Sequence, residues 1–134
     1  IRAILELAGH YNQGPLQINV IAKRQDISVK YLEQLMTVLR SGGFIKSVRG
    51  SKGGYILAKA PNQIKLDEVF NCLEGPVTTV ECVRDENYCG RFADCIAREV
   101  WVKVQDAITG VLRSISLQDL VDKAKGKEGV DYRI

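Results

Sequence analysis

The stretch that decides the fold is Ser28-Val-Lys-Tyr-Leu-Glu-Gln-Leu-Met-Thr-Val-Leu-Arg-Ser41, which carries helix signals at both ends. Ser28 is placed as an N-cap, because its hydroxyl can accept a hydrogen bond from a free amide of the first turn. Gly42-Gly43 follows the last turn and predicts a glycine C-cap. Apolar side chains at spacings of three and four predict one buried stripe, formed by Tyr31, Leu32, Leu35, Val38 and Leu39.

Two further helices are predicted before this one. The first covers residues 1–11 and ends at the turn 12–15, and the second covers about residues 17–24. Gln25-Asp26 is a tight turn between the second helix and the third, which is typical of a helix-turn-helix motif. The pattern alone has moderate specificity, since many helical hairpins bind no DNA. His10, the only histidine, is expected to be a favourable helix C-terminal residue rather than a ligand or pH sensor.

A glycine-rich, basic hairpin follows directly. Residues 44–48 and 55–58 read as two strands, and the connection is Arg49-Gly-Ser-Lys-Gly-Gly54. Such a hairpin after the second helix of a helix-turn-helix is typical of a DNA-binding wing, although an ordinary solvated hairpin is the alternative. The loop is unlike a phosphate-binding P-loop, because it leads into a strand and lacks the Gly-Lys-Ser/Thr ending.

The second half of the chain is dominated by one long amphipathic helix, predicted over residues 92–115. Its apolar surface is too wide for a small domain to cover, which predicts packing against a second chain; folding back onto its own domain is the alternative. A short helix over residues 66–74 precedes it and contains Cys72, which we interpret as structural. Another short helix and a polar tail follow it.

Three cysteines, Cys82, Cys89 and Cys95, lie together in a charged loop that runs into the long helix. Buried cysteines normally lie in apolar runs, so this density favours thiolate ligands for a soft metal centre. A structural zinc needs four close ligands, whereas an iron–sulfur cluster can use three thiolates and a different fourth ligand. Zinc, cysteine redox chemistry and no role at all remain open as alternatives.

Composition and charge limit the classes of protein to which this chain can belong. The 134 residues fit one domain with a small appendage, and the net charge of +3 is only mildly basic. No apolar run is long enough for a transmembrane helix and no signal peptide is visible, so we expect a cytoplasmic protein without membrane contact. With one histidine and no Ser/His/Asp constellation, we expect no enzyme and no small-molecule substrate.

Several motifs resemble those of the IscR-type family of bacterial transcription regulators. They are Ile27 to Leu35 with its Tyr-Leu-Glu-Gln core, Ser47-Val-Arg-Gly50, Gly53-Gly-Tyr55 and Leu73-Glu-Gly-Pro76. The similarity runs nearly from end to end. It implies a mainly α winged helix-turn-helix homodimer with a small β-wing, which binds palindromic promoter DNA and whose long helices pair at the dimer interface.

The resemblance also implies a division of the chain and of its contacts. We expect a DNA-binding domain at 1–76, a cluster loop at 77–98 and a dimerisation unit at 92–134. Lys23 and Arg40 are expected at phosphates, and Glu33 in the choice between site types. The expected DNA-binding residues are Ser28, Lys30, Tyr31, Glu33, Gln34, Arg40, Arg49, Ser51, Lys52, Gly53 and Gly54.

In the iron–sulfur members of this family three loop cysteines hold a cluster, and those positions match Cys82, Cys89 and Cys95. A 2Fe-2S cluster is expected, with 4Fe-4S as the alternative. The histidine that serves as fourth ligand in the best-known member is replaced by Arg98, whose guanidinium has no lone pair to donate. Glu99, or a residue from a preceding segment of the partner subunit, is the expected substitute.

The predicted function is therefore a homodimeric transcription regulator that senses cluster, iron, redox or nitrosative status. One alternative is a cluster-free regulator of cysteine or sulfur metabolism that acts through thiol chemistry or a protein partner. An alternative of another class is a small redox or electron-transfer protein, which would need neither the wing nor the helix-turn-helix.

Overall fold

A computed structural model describes residues 1–76, 78, 80–88, 90–91 and 93–127 of the chain. Across these residues the fold is mainly α-helical with one two-stranded antiparallel sheet, as predicted. The elements are α1 (Arg2–Gly9), α2 (Ile18–Gln25), α3 (Val29–Ser41), β1 (Ile45–Val48), β2 (Gly54–Leu57), α4 (Leu66–Glu74), α5 (Glu81–Arg84), α6 (Ile96–Ser114) and α7 (Leu117–Lys125), with a 3-10 turn at Pro61–Gln63.

The core lies between α1, α2 and α3 and is closed by α7. Ile4, Ile21 and Leu32 are completely buried, and so is Leu117 of α7. Helix α7 packs against α1 and against the 3-10 turn, so this helix near the end of the chain helps to bury α1. The apolar surface removed from water here is the main stabilising contribution to this part of the fold.

Helix α3 has the predicted bounds, and its N-cap is confirmed by a hydrogen bond of 3.2 Å from the Tyr31 amide to Ser28 Oγ. The predicted buried stripe is partly wrong. Tyr31 is 55% exposed and Val38 is 41% exposed, whereas Met36 is fully buried. Each residue advances a helix by 100°, so Tyr31 and Val38 fall at the edge of the face that Leu32 and Leu39 occupy. Met36 lies one turn after Leu32, on the centre of that face.

Strands β1 and β2 pair in a regular register in which Ile45 faces Leu57 and Val48 faces Gly54. Leu16, just before α2, adds a short bridge to the sheet. Its amide donates to the Tyr55 carbonyl at 3.0 Å, and the Tyr55 amide donates back at 2.8 Å. This contact was not predicted, because a single bridging residue leaves no alternating pattern in the sequence.

Helix α6 begins at Ile96 and has Cys95 as its N-cap, so the predicted start four residues earlier was wrong. The start of the predicted span, Phe92, lies outside the described residues. The short helix α5 was not predicted in the cysteine loop and packs against α6. Helix α6 also packs against α4, and an ion pair joins the two helices: Arg113 Nε lies 3.5 Å from Asp67 Oδ2. Among the described helices, none combines the length and apolarity required to cross a bilayer.

Candidate nucleic-acid interface and metal centre

The exposed face of α3 is polar and lies opposite the core. Lys30 and Gln34 are exposed one turn apart, and neither helps to bury the helix. An α-helix of this diameter fits the major groove of B-DNA, where lysine and glutamine can bind phosphates and base edges. The other predicted contacts on α3 are also exposed, namely Ser28, Tyr31, Glu33 and Arg40.

Sequence reasoning missed two residues on this same face. Thr37 and Ser41 are exposed and lie seven and eleven residues after Lys30, so they continue its line along the helix. The Thr37 hydroxyl donates to the Glu33 carbonyl at 2.9 Å, and its oxygen can still accept a further hydrogen bond. The spacing of three residues from Gln34 was the signal that would have found Thr37.

The helix N-termini divide the chain electrostatically. No acidic residue stands in the first turn of α2 or α3. By contrast, the first turns of α4, α6 and α7 carry Asp67, Glu99 and Asp119. Acidic side chains are normally favourable at the N-terminus of a helix, which carries a partial positive charge. Because the described first turns of α2 and α3 have none, no carboxylate there would repel a polyanion such as DNA.

Acidic side chains are scarce around this surface. Before residue 66 they are Glu6, Asp26 and Glu33. Glu6 is largely buried, and its carboxylate accepts hydrogen bonds from Arg24 at 3.4 Å and from Gln25 at 2.5 Å. Glu6 therefore ties α1 to α2 and contributes little negative charge to the surface. Glu33 is the acidic residue that remains on the exposed face of α3.

The wing presents Arg49, Ser51 and Lys52 to solvent. Gly53 and Gly54 of the wing, which were predicted to contact DNA, are also needed by the fold itself. A Cβ on Gly53 would lie 2.1 Å from the Val48 carbonyl oxygen, and one on Gly54 would lie 2.2 Å from the Leu16 carbonyl oxygen. Both glycines are thus required by close packing of protein backbone. Contact of Gly53 and Gly54 with DNA stays a prediction.

Two of the three loop cysteines are described. Cys82 lies in α5 and Cys95 caps α6, and both are free, half-buried thiols on elements that pack together. Cys89 lies outside the described residues. Within the described part of the chain no three potential metal ligands form a group. The geometry of the complete cysteine set therefore stays a prediction.

The two residues considered for the fourth-ligand position lie at the start of α6, and ligation by Glu99 stays a prediction. Arg98 is half-buried in the first turn of α6, and Glu99 beside it is exposed. Cys72 lies on α4, ten residues before Cys82, and has a different environment. Its Sγ lies 3.6 Å from the Val38 carbonyl oxygen, where α4 contacts the end of α3, which agrees with a structural role.

Helix α6 leaves an apolar surface uncovered. Within the described chain none of its 19 residues is fully buried. Val100, Val104 and Val111 are 55%, 37% and 59% exposed, and with Ala107 they recur at spacings of four and three along one side. A contiguous apolar strip of this kind marks an interaction surface.

Comparison with known proteins gives one consistent result. Residues 1–123 match the family Rrf2, described as an iron-dependent transcriptional regulator. The regulator IscR of Photorhabdus laumondii is 39% identical over 122 residues, which cover 91% of this chain and 74% of that protein.

Two solved structures have the same fold. IscR of T. potens is 37% identical with a TM-score of 0.79, over 98% of this chain and 86% of that one. CymR of B. subtilis, described as the global cysteine regulator, is 38% identical with a TM-score of 0.77, over 90% of this chain and 89% of that one.

Proposed function

This chain belongs to the Rrf2 family of transcriptional regulators, and from that premise we propose that it is a homodimeric, cluster-sensing DNA-binding protein. It has the winged helix fold of that family. In the proposal, α3 enters the major groove of a palindromic promoter site and the wing reaches the adjacent minor groove. The cysteines of the loop hold an iron–sulfur cluster whose presence alters DNA binding.

One observation carries the DNA-binding part: the exposed face of α3 is polar, and the first turns of α2 and α3 carry no acidic residue. Lys30 and Gln34 supply donors to phosphates and base edges, and Arg49 supplies a guanidinium to the narrower minor groove. Glu33 can accept a hydrogen bond from a cytosine amino group and repels other partners, so it contributes to specificity.

The test of DNA binding is its salt dependence. A duplex selected from a random pool is titrated with the protein at several salt concentrations. Replacing Lys30 by alanine should weaken binding and make the negative slope of log K against log salt less steep by about two, since each subunit of the proposed dimer loses one phosphate contact. Lys125→Ala, an exposed lysine on α7, serves as the matched control and should leave the slope unchanged. Equal effects of the two variants would contradict the placement of α3.

The donor chemistry of the cysteines fits an iron–sulfur cluster. Cys82 and Cys95 are uncrosslinked, half-buried thiols on two adjoining helical elements, and thiolates are the ligands that such clusters use. Cys82, Cys89 and Cys95 would hold the cluster, with Glu99 as the proposed fourth ligand. When bound, a cluster supplies a redox-active and oxidation-labile centre. This chain would then order its loop beside α6.

The test of the cofactor uses Cys72 as an internal control. Wild-type protein purified without oxygen should contain iron and inorganic sulfide and absorb visible light. Cys82→Ala, Cys89→Ala and Cys95→Ala should each lose most of the iron and the colour. Cys72→Ala should retain them, because Cys72 lies against Val38 on another helix. A colourless wild-type protein that cannot be reconstituted would exclude the cluster.

A cluster-free regulator of cysteine metabolism is the second candidate. The 38% identity to the global cysteine regulator CymR favours it. In that case the protein would bind DNA without iron, and alanine at Cys82, Cys89 and Cys95 would leave promoter binding unchanged. The iron analysis and the DNA titration on the same variants therefore separate the two candidates.

A further inference from the structure

A side-chain hydrogen bond joins the helix-turn-helix to the tip of the wing. Gln17 is the N-cap residue of α2, but its side chain makes no capping bond to its own helix. Instead Gln17 Nε2 donates to the backbone carbonyl of Ser51 at 3.3 Å, across 34 residues of sequence. Ser51 lies between Arg49 and Lys52 in the wing turn.

The neighbouring residue holds the base of the wing. Leu16 exchanges two backbone hydrogen bonds with Tyr55, and the missing Cβ of Gly54 allows the backbone of Leu16 to approach β2. The wing is thus held at its base by Leu16 and at its tip by Gln17. The backbone pairing fixes where the hairpin starts, whereas the Gln17 contact restrains where its exposed turn points.

We propose that Gln17 is a positioning residue, which fixes the wing so that Arg49 and Lys52 meet DNA in one orientation. This inference rests on the proposed DNA-binding function. A free hairpin turn must lose conformational freedom when it binds, and a turn held in place beforehand loses less. Gln17 acts through the wing and makes no required contact with DNA itself.

The first test is a double-mutant cycle measured by fluorescence anisotropy on a selected duplex. Gln17→Ala and the similarly long Gln17→Met both remove the amide donor, and each should weaken binding about three- to tenfold. Gln13→Ala, an exposed glutamine of the preceding turn, is the matched control and should change affinity less than about twofold.

The second arm of the cycle repeats these changes in an Arg49→Ala/Lys52→Ala background. There Gln17→Ala should cost less than about twofold, since the wing no longer contributes the contacts that Gln17 positions. An equal loss in both backgrounds would overturn the proposal and indicate that Gln17 contacts DNA directly.

A measurement on the free protein separates this proposal from the proposed function. Hydrogen exchange of the Gly53 amide, which donates to the Gly50 carbonyl at 3.0 Å across the wing turn, should become faster in Gln17→Ala and Gln17→Met, with an unchanged unfolding midpoint. Unchanged exchange would overturn the positioning role. If wild-type protein bound no DNA while the exchange result held, the proposed function would fail and the restraint of the wing would stand.

Discussion

Gly54 is a single residue on which the wing depends. Its φ is +146°, a backbone conformation that residues with a Cβ rarely adopt, and a Cβ at this position would lie only 2.2 Å from the Leu16 carbonyl oxygen. Gly54→Ala should therefore break the pairing with Leu16 and destabilise the protein by about 2–4 kcal/mol. Chemical denaturation measures this loss.

Gly50 offers a matched control in the same hairpin. Its φ is also positive, at +116°, but a Cβ there would meet nothing within 4 Å. Gly50→Ala should cost only the backbone strain, about 1–2 kcal/mol. The difference between the two variants isolates the close approach to Leu16, and equal losses would contradict that explanation.

Asp119 gives the protein a defined response to acid. The backbone amide of Ser116 donates a hydrogen bond of 2.9 Å to the Asp119 carboxylate, and this bond, followed by the interaction with the Ser116 side chain, lowers the pKa of the Asp119 carboxyl below its usual value. The unfolded chain then binds a proton more readily than the folded one. The stabilisation by Asp119 is therefore complete above the usual carboxyl pKa and is lost as the pH falls through the lowered value.

Asp119→Asn should remove this part of the acid sensitivity, since an amide does not titrate. The urea midpoint of the wild type should fall more between pH 6 and pH 3 than that of Asp119→Asn. Ser116→Ala, which keeps the carboxylate but removes one partner, should have an intermediate pH dependence. Identical pH profiles for wild type and Asp119→Asn would contradict the assignment.

At the scale of elements, the N-cap of α3 serves both folding and recognition. Ser28 Oγ accepts from the Tyr31 amide and is exposed at the end of α3 that is proposed to face DNA. Ser28→Ala should lower stability by about 1 kcal/mol through the lost cap. Ser28→Asp keeps an accepting oxygen, so it should retain stability, but its charge should repel phosphate and weaken DNA binding more than Ser28→Ala does.

These two readouts are measured on the same protein samples, by denaturation and by DNA titration. Ser28→Asp should be the more stable variant but the weaker binder, whereas Ser28→Ala should be less stable but bind more tightly. A general folding defect would lower both quantities in the same variant and cannot produce this result. If Ser28→Asp bound DNA as tightly as wild type, this end of α3 would not lie beside phosphate.

Local signals predicted most of the elements. Ser28 and Gly42 marked the ends of α3, and the apolar spacing of Leu66 and Val69 fixed α4. What failed depends on tertiary contacts. The bridge at Leu16 exists because Gly54 permits it, and the short helix α5 in the polar loop packs against α6. Neither contact has a local periodicity.

The candidate site was less predictable than the fold. The polar and basic side chains of α3 and the wing were visible in the sequence. The hydrogen bond of Gln17 with Ser51 was not, because it joins residues that are 34 positions apart. The sequence could not show that Tyr31 and Val38 are exposed, because both are apolar enough to be assigned to the core. Their exposure became visible only once the packing of α3 was known.

At the scale of the whole molecule, α6 needs a partner surface. A second copy of α6 is the proposed partner, since a twofold pairing buries the same apolar strip on both subunits. The side chains of the strip formed by Val100, Val104, Ala107 and Val111 are all exposed in the described chain. Pairing would also place two α3 helices on one side of a palindromic site.

Val104→Glu should therefore convert the dimer to a monomer, because each subunit would bury an unpaired carboxylate in an apolar interface. Light scattering coupled to size exclusion measures the mass, which should fall from twice the chain mass to once. Val38→Glu makes the same change on α3, where Val38 is 41% exposed, and should leave the dimer intact.

Val104→Glu should also weaken binding to a palindrome far more than to an isolated half-site, since the two recognition helices are then no longer joined. A monomeric wild type, or a Val104→Glu variant that remains dimeric, would contradict this role for α6.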